Sequence, residues 1–280
     1  MHPFKLAAFA DEASPMIDNQ IAAMQRNGVL GVELRQVDGE NISSITLEKA
    51  REVKAKLDAQ GLKAWSLGSP LGKIDIETGD YAAELEKLKH TIELAHVLGA
   101  ENIRMFSFYM PKDGDPAAYR QQVLDRLGEM AAIARGTGVT LCHENEKGIY
   151  GDVPERCVHI HQAVPEIAGV FDPANYIQSG QDTWHCWELV HPYIKYMHIK
   201  DALPDGMVVP AGAGAGQIAR LLEAYRAQGG EWLTIEPHLK VFDGLAALER
   251  EGEKSQVGAY VFETPDAAFD AACTALKKLF

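Results

Sequence analysis

The sequence predicts a single-domain (β/α)8 barrel spanning residues 1–280. Three observations carry this. Eight short apolar runs recur along the chain, amphipathic segments fill the gaps, and no glycine-rich dinucleotide fingerprint follows any run. Eight units in 280 residues average about 35 each, a workable length for a strand and its returning helix. An open doubly wound sheet alternates in the same way, but eight units without that fingerprint favour closure.

The runs are 4–10, 30–35, 62–67, 102–106, 139–144, 169–172, 196–199 and 232–236. They are almost continuously apolar, as strands covered on both faces are. Ser14-Pro15 reads as a cap with proline at the first helical position, and Ile17, Ile21 and Met24 share one face before Gly28. Asp80 caps a segment with the stripe Leu85, Leu88, Ile92 and Ala95, closed by Gly99. Asp115-Pro116 opens the next, carrying Tyr119, Val123, Leu127, Met130 and Ala134. The sixth helical segment, around 184–190, is short. Ile218, Leu221, Leu222 and Tyr225 mark the seventh, and Thr264-Pro265 opens the last, with Phe269, Cys273 and Leu276 inward. Segment 237–263 is long for a plain connection and reads as an insertion near the active-site face.

Hydrophobic residues make up 46% and charged residues 24%, the balance of a globular chain able to bury its own core. Lys and Arg number 27 against 40 Asp and Glu, a net charge of −13, which argues against a nucleic-acid partner. Cys142, Cys157, Cys186 and Cys273 form no CxxC pair and read as reduced residues of a cytoplasmic protein. The first residues show no charged leader before a long apolar run, so no signal peptide is expected. No apolar stretch reaches the ~18 residues of a membrane span.

Strand ends of such a barrel face one pocket. The last four runs end in Leu141-Cys142-His143-Glu144-Asn145, Val170-Phe171-Asp172-Pro173, Tyr196-Met197-His198-Ile199-Lys200-Asp201 and Thr234-Ile235-Glu236-Pro237-His238. Any one of these residues has an ordinary explanation: a solvated loop edge, a turn opener, a core histidine. Together they place metal-ligand types on four successive strands. Burying three carboxylates there is costly without a cation. One divalent ion is therefore expected on Glu144, Asp172, His198 and Glu236. Oxygen donors suit Mg²⁺ or Mn²⁺, and the imidazole shifts the preference toward Mn²⁺, Zn²⁺ or Co²⁺; Mn²⁺ is the expected ion.

The motifs Glu144-Asn145, Asp172-Pro173-Ala174-Asn175, His198-Ile199-Lys200-Asp201 and Glu236-Pro237-His238 resemble those of the xylose isomerase-like barrel superfamily of sugar-phosphate isomerases and epimerases. That group includes ketose 3-epimerases, hydroxypyruvate isomerase, inosose dehydratase and, more distantly, endonuclease IV. The resemblance follows strand order over the whole chain and is most specific between 140 and 240. It implies the same four-ligand site, with Glu144 and Glu236 also serving as the acid/base pair. The ketose 3-epimerases carry a histidine three residues beyond the aspartate ligand and an arginine six beyond the histidine ligand. Here those positions are Asn175 and Pro204, a departure from a plain ketose 3-epimerase.

Lys200, Asn175, Glu33, Lys73 and His238 are the expected substrate contacts. Lys200 is placed to stabilise a developing enediolate, and Glu33 to hold a hydroxyl or orient another side chain. His143 should point away from the pocket by alternation. His90, His96, His159 and His161 read as structural or exposed. The glycines of 210–216 read as a flexible lid in preference to an anion cradle. The expected function is isomerisation or epimerisation of a small ketose, sugar phosphate or keto-polyol through a metal-stabilised enediolate. Its nearest rival is a dehydratase of an inosose-like keto-polyol. An endonuclease IV-like enzyme would need more histidines in the first half of the barrel. The expected partners are a small sugar-like substrate and one or three further copies of the chain, with no nucleic acid and no membrane.

Overall fold

The computed structural model describes residues 3–242, 245, 256–258 and 260–280. Eight parallel strands close into a barrel in sequence order. They are β1 Lys5–Ala8, β2 Gly31–Leu34, β3 Lys63–Leu67, β4 Asn102–Met105, β5 Thr140–Glu144, β6 Ala168–Phe171, β7 Ile194–Ile199 and β8 Trp232–Ile235. The last strand returns to the first, with Ala7 opposite Thr234. Each lies within or overlaps a predicted run, so the expected closed barrel is what the chain forms.

The helices follow from local signals. α1 is Ile17–Arg26, α2 Leu47–Ala59, α3 Tyr81–Leu98, α4 Pro116–Ala134, α5 Pro154–Ala163, α6 Pro173–Gln178, α7 Thr183–Val190, α8 Ile218–Ala227 and α9 Pro265–Lys277. The Asp80 carboxylate accepts from the Ala83 amide at 3.0 Å and starts α3. Gly99, at φ 72°, ends it in a left-handed turn that a side chain would strain. Asp115 and Thr264 cap α4 and α9, each followed by proline. Leu88, Ile92, Val123, Leu127, Leu221, Phe269 and Leu276 are buried against the barrel. Each such burial contributes about 1.5–3 kcal/mol.

Two expectations are corrected. Ser14 does not cap α1: the helix begins at Ile17 behind an extended Met16, and Ser14 Oγ accepts from the Met16 amide at 3.2 Å. Pro15 thus lies outside the helix. The sixth connection also holds more than the expected short helix, because α6 precedes α7. A six-residue helix is too short to show a periodic stripe.

Inside the barrel, Ala7, Trp65, Cys142, Val170 and Tyr196 form an apolar layer. Trp232 packs against this layer, its ring stacked on that of Trp65 with centroids 4.2 Å apart. The four cysteines are buried free thiols. In the expected insertion at 237–263, positions 243–244, 246–255 and 259 lie outside the described residues. Of the rest, Leu239 and Phe242 are buried, and Lys240 Nζ donates to the Phe262 carbonyl at 2.8 Å. Among the described residues no helix is long and apolar enough to cross a membrane.

Candidate metal centre

Alternation along a barrel strand turns every second side chain toward the axis. It stacks Glu144 above Cys142 on β5 and His198 above Tyr196 on β7. Asp172 and Glu236 follow β6 and β8 directly. All four are buried, and one donor atom from each lies within 4.8 Å of the others. His198 Nδ1 is 3.0 Å from Glu144 Oε1 and 3.2 Å from Glu236 Oε2.

His198 Nε2 faces Glu33 Oε2 at 3.1 Å. Glu33 also accepts from Tyr196 OH at 2.8 Å, Thr234 Oγ1 at 2.8 Å and Ser66 Oγ at 3.2 Å. A carboxylate at Nε2 favours a proton there and leaves Nδ1 able to ligate a metal ion. Glu33, expected among the substrate contacts, is wholly enclosed below the pocket and supports His198.

Each glutamate has its own arginine. Arg104 Nη1 is 3.2 Å from Glu144 Oε2, and its Nη2 donates to the Gly68 carbonyl at 3.1 Å. Arg35 Nη1 is 3.5 Å from Glu236 Oε1. Arg35 is itself anchored by Asp11 at 2.8 Å and Glu12 at 3.1 Å. The Phe9 ring lies 4.4 Å from the Arg35 guanidinium and 5.0 Å from that of Arg104. Asn175 Nδ2 donates to Glu144 Oε1 at 3.2 Å. Lys200 Nζ is 2.9 Å from Asp172 Oδ2 and 3.4 Å from Glu236 Oε2. Asp172 Oδ1 accepts from the Asn175 amide at 2.9 Å and so caps α6. Asn145 clips the Asp172 backbone with two bonds of 2.9 Å.

Burial raises all three carboxyls, and their neighbours then separate them. The cationic His198 and Arg104 outweigh burial at Glu144 and hold it below the usual carboxylate range. Lys200 and His238 lead the same reversal at Glu236, which falls well below that range. At Asp172 burial wins over Lys200, and the carboxyl is pushed up to about 7. Burial disfavours charge on His198, but Glu144 and Glu33 lift it well above the ordinary imidazole value.

Glu144 Oε2, Asp172 Oδ2 and Glu236 Oε2 are buried without a well-directed hydrogen bond, and among the described residues only Arg104, Lys200 and His198 stand within ion-pair distance of them. Three clustered carboxylates that share so few directed donors fit a bound cation, since burying like charges together is expensive. Three carboxylates and one imidazole suit a divalent ion. Glu12, Glu236 and His238 form a second group within the same reach. There the Arg35 guanidinium already supplies the positive charge.

The other expected contacts are placed as follows. His238 takes a left-handed backbone at φ 44°, with Nδ1 3.0 Å from Glu12 Oε1. Lys73 pairs with Glu146 at 3.3 Å and lies over the Phe106 ring at 4.4 Å. The glycine-rich loop is tied down by Asp201. The Gly212 and Gly214 amides donate to its Oδ2 at 2.9 and 3.0 Å, and Gly216 to Oδ1 at 2.8 Å. A Cβ on Gly214 would meet Asp201 Oδ1 and the Ala202 carbonyl at 2.4 Å. The lid expectation gives way to a cradle around the chain's own carboxylate.

His143 turns outward, bonded to Ser107 Oγ at 2.9 Å and edge-on to His161 at 6.0 Å. Both are buried, which gives His161 the structural one of its two expected readings. Burial, with His161 nearby, holds His143 well below the ordinary imidazole value. Unfolding therefore takes up protons below the unfolded pKa of ~6.5, and stability falls as pH drops from there. The expected slope is about 1.4 kcal/mol per pH unit for each such histidine. Urea titrations of metal-free wild type and His143→Gln between pH 5 and 7 check it: the variant should lose about one histidine's slope. Parallel curves would remove His143 as the cause.

Arg35, Arg104, Asp11 and Glu12 are the site residues missed from the sequence. A signal existed: Glu33 and Arg35, and Asn102 and Arg104, are polar at alternate positions within otherwise apolar runs. In a barrel strand that spacing puts both on the axial face.

Fold and site together define a (β/α)8 barrel with a carboxylate–histidine centre at the C-terminal ends of its strands. The family model for the xylose isomerase-like TIM barrel matches residues 21–254, and the chain belongs to that family. No curated protein matches it. Among solved structures it is similar to the IOLI protein with a binding zinc atom, at 17% identity and TM-score 0.76, over 98% of this chain and 97% of that one. It is similar to the probable 3-DHS dehydratase AsbF involved in petrobactin synthesis from Bacillus anthracis, at 15% identity and TM-score 0.75, over 99% of both chains. An L-ribulose 3-epimerase matches at 17% identity and TM-score 0.74, over 100% of this chain and 94% of its own. At these identities the likeness is one of fold.

Proposed function

We propose that the chain is a divalent-metal-dependent isomerase or epimerase of a small ketose or related keto-polyol, with Mn²⁺ the preferred ion on Glu144, Asp172, His198 and Glu236. The observation that carries this reading is the pair Glu144 and Glu236. They come from strands separated by two others, yet both reach His198 Nδ1, at 3.0 and 3.2 Å. A cation bound there supplies polarisation of a substrate carbonyl and compensates developing charge. One glutamate removes the proton next to the carbonyl, and the other returns it to the opposite face or the neighbouring carbon. Arg104 and Asn175 fix Glu144, and Arg35 fixes Glu236, so neither carboxylate must swing. The Lys200 ammonium donates to the oxygen on which negative charge develops.

The likeness to an L-ribulose 3-epimerase supports this reading. A dehydratase that begins with the same proton removal and then expels a hydroxyl is the second reading, supported by the likeness to AsbF. Metal-loaded protein incubated with a panel of ketoses in deuterated water separates them. The expected result is deuterium at a carbon next to the carbonyl, in a product of unchanged composition. A product lighter by one water moves the assignment to the lyase. Turnover without any solvent hydrogen in the product rejects proton transfer.

A further inference from the structure

We infer that the substrate is an uncharged polyhydroxylated ketone, and that the site excludes its phosphate ester. This rests on the sugar-isomerase reading and narrows it.

The first observation concerns the places where a barrel of this kind can hold a phosphate. Such places are the loops after strands eight and seven; in the former, positions 243–244, 246–255 and 259 lie outside the described residues, and the latter leads to the next helix N-terminus. Here the latter loop runs from Asp201 to α8, and its alternate amides do converge as an anion nest. The nest is filled from within. Gly212, Gly214 and Gly216 donate to the two Asp201 oxygens at 2.8–3.0 Å, and the Ala202 amide adds a fourth bond at 2.9 Å. Asp201 is enclosed, so a phosphate would have to displace a covalently attached carboxylate.

The second observation is the charge around the pocket. Asp11, Glu12, Glu33, Glu144, Asp172 and Glu236 face the fixed cations Arg35, Arg104 and Lys200, all of them buried. These are six acidic groups against three cationic ones, and a bound dication brings the positive total to five. A phosphate dianion would add to a negative balance in a poorly screened site. The arginines are also engaged: Arg35 by Asp11 and Glu12, Arg104 by Glu144 and the Gly68 carbonyl. Lys73 is paired with Glu146 at 3.3 Å.

The test has two arms. In the first, metal-loaded protein is offered ketoses and the matching ketose phosphates in deuterated water. Exchange into the free sugars should exceed that into the esters by at least ~100-fold, since an unpaired charge buried in the site is strongly penalised. Faster exchange into an ester would overturn the inference and leave the isomerase reading standing; exchange into neither would overturn that reading. The second arm needs no activity. Millimolar inorganic phosphate should leave the Tm of the wild-type protein unchanged at constant ionic strength. Asp201→Gly, with the nest emptied, should gain a saturable phosphate-dependent rise in Tm. Saturable stabilisation of the wild-type protein would overturn the inference even if the variant fails to fold.

Discussion

Glu144→Gln and Glu236→Gln each slow turnover by at least ~100-fold, the low end for general acid–base catalysis and about 2.7 kcal/mol of barrier. The substitution keeps the side chain's shape and removes its capacity to take a proton. Both residues also belong to the metal cluster, so metal content must be measured on the same samples. Fully loaded glutamine variants that turn over at the wild-type rate would exclude these residues as the acid and base. The supports predict an asymmetry between them. Arg104 is held otherwise by the Gly68 and Ser69 carbonyls and divides its charge between two carboxylates, Glu144 and Glu33. Arg35 divides its charge among Asp11, Glu12 and Glu236.

Wild-type protein binds about one divalent ion per chain, and His198→Ala or Asp172→Ala weakens that binding at least ~100-fold, beyond the 10–100-fold typical of losing an outer support. Chelator competition reads the affinity directly. Removing either donor leaves the remaining carboxylates poorly compensated in a buried site. Asp172→Ala also removes the cap of α6, worth about 1 kcal/mol of helix stability. Asp172→Asn separates the two effects, because the amide oxygen still caps the helix while the charge is lost. Stoichiometric metal retained by both alanine variants would dismiss the assigned centre.

The barrel was legible because each strand is a block of apolar residues set off by helical stripes, and both signals are local. The cluster Glu144, Asp172, His198 and Glu236 was legible because each residue ends an apolar run. Its supports were not. Arg104 sits on β4 and Arg35 directly after β2, in the first half, where a single charged residue resembles a strand edge. Their partners lie far away in sequence: 24 residues separate Arg35 from Asp11, and 163 separate Glu33 from Tyr196. The glycine loop was misread for the same reason. Its partner Asp201 lies 11 to 15 residues upstream, and nothing local marks it as the anion the loop encloses.

Asp172 divides its two oxygens between two kinds of order. Oδ1 closes the first turn of α6, and Oδ2 faces Lys200 and the proposed cation position. Occupancy of the ion site and fraying of that six-residue helix are therefore linked functions, and each biases the other by the same free energy. The amide protons of 175–178 become a reporter of ion occupancy, slowing their exchange as the site fills. Scarcity of the ion would register first as local opening at the rim, with the barrel below it intact.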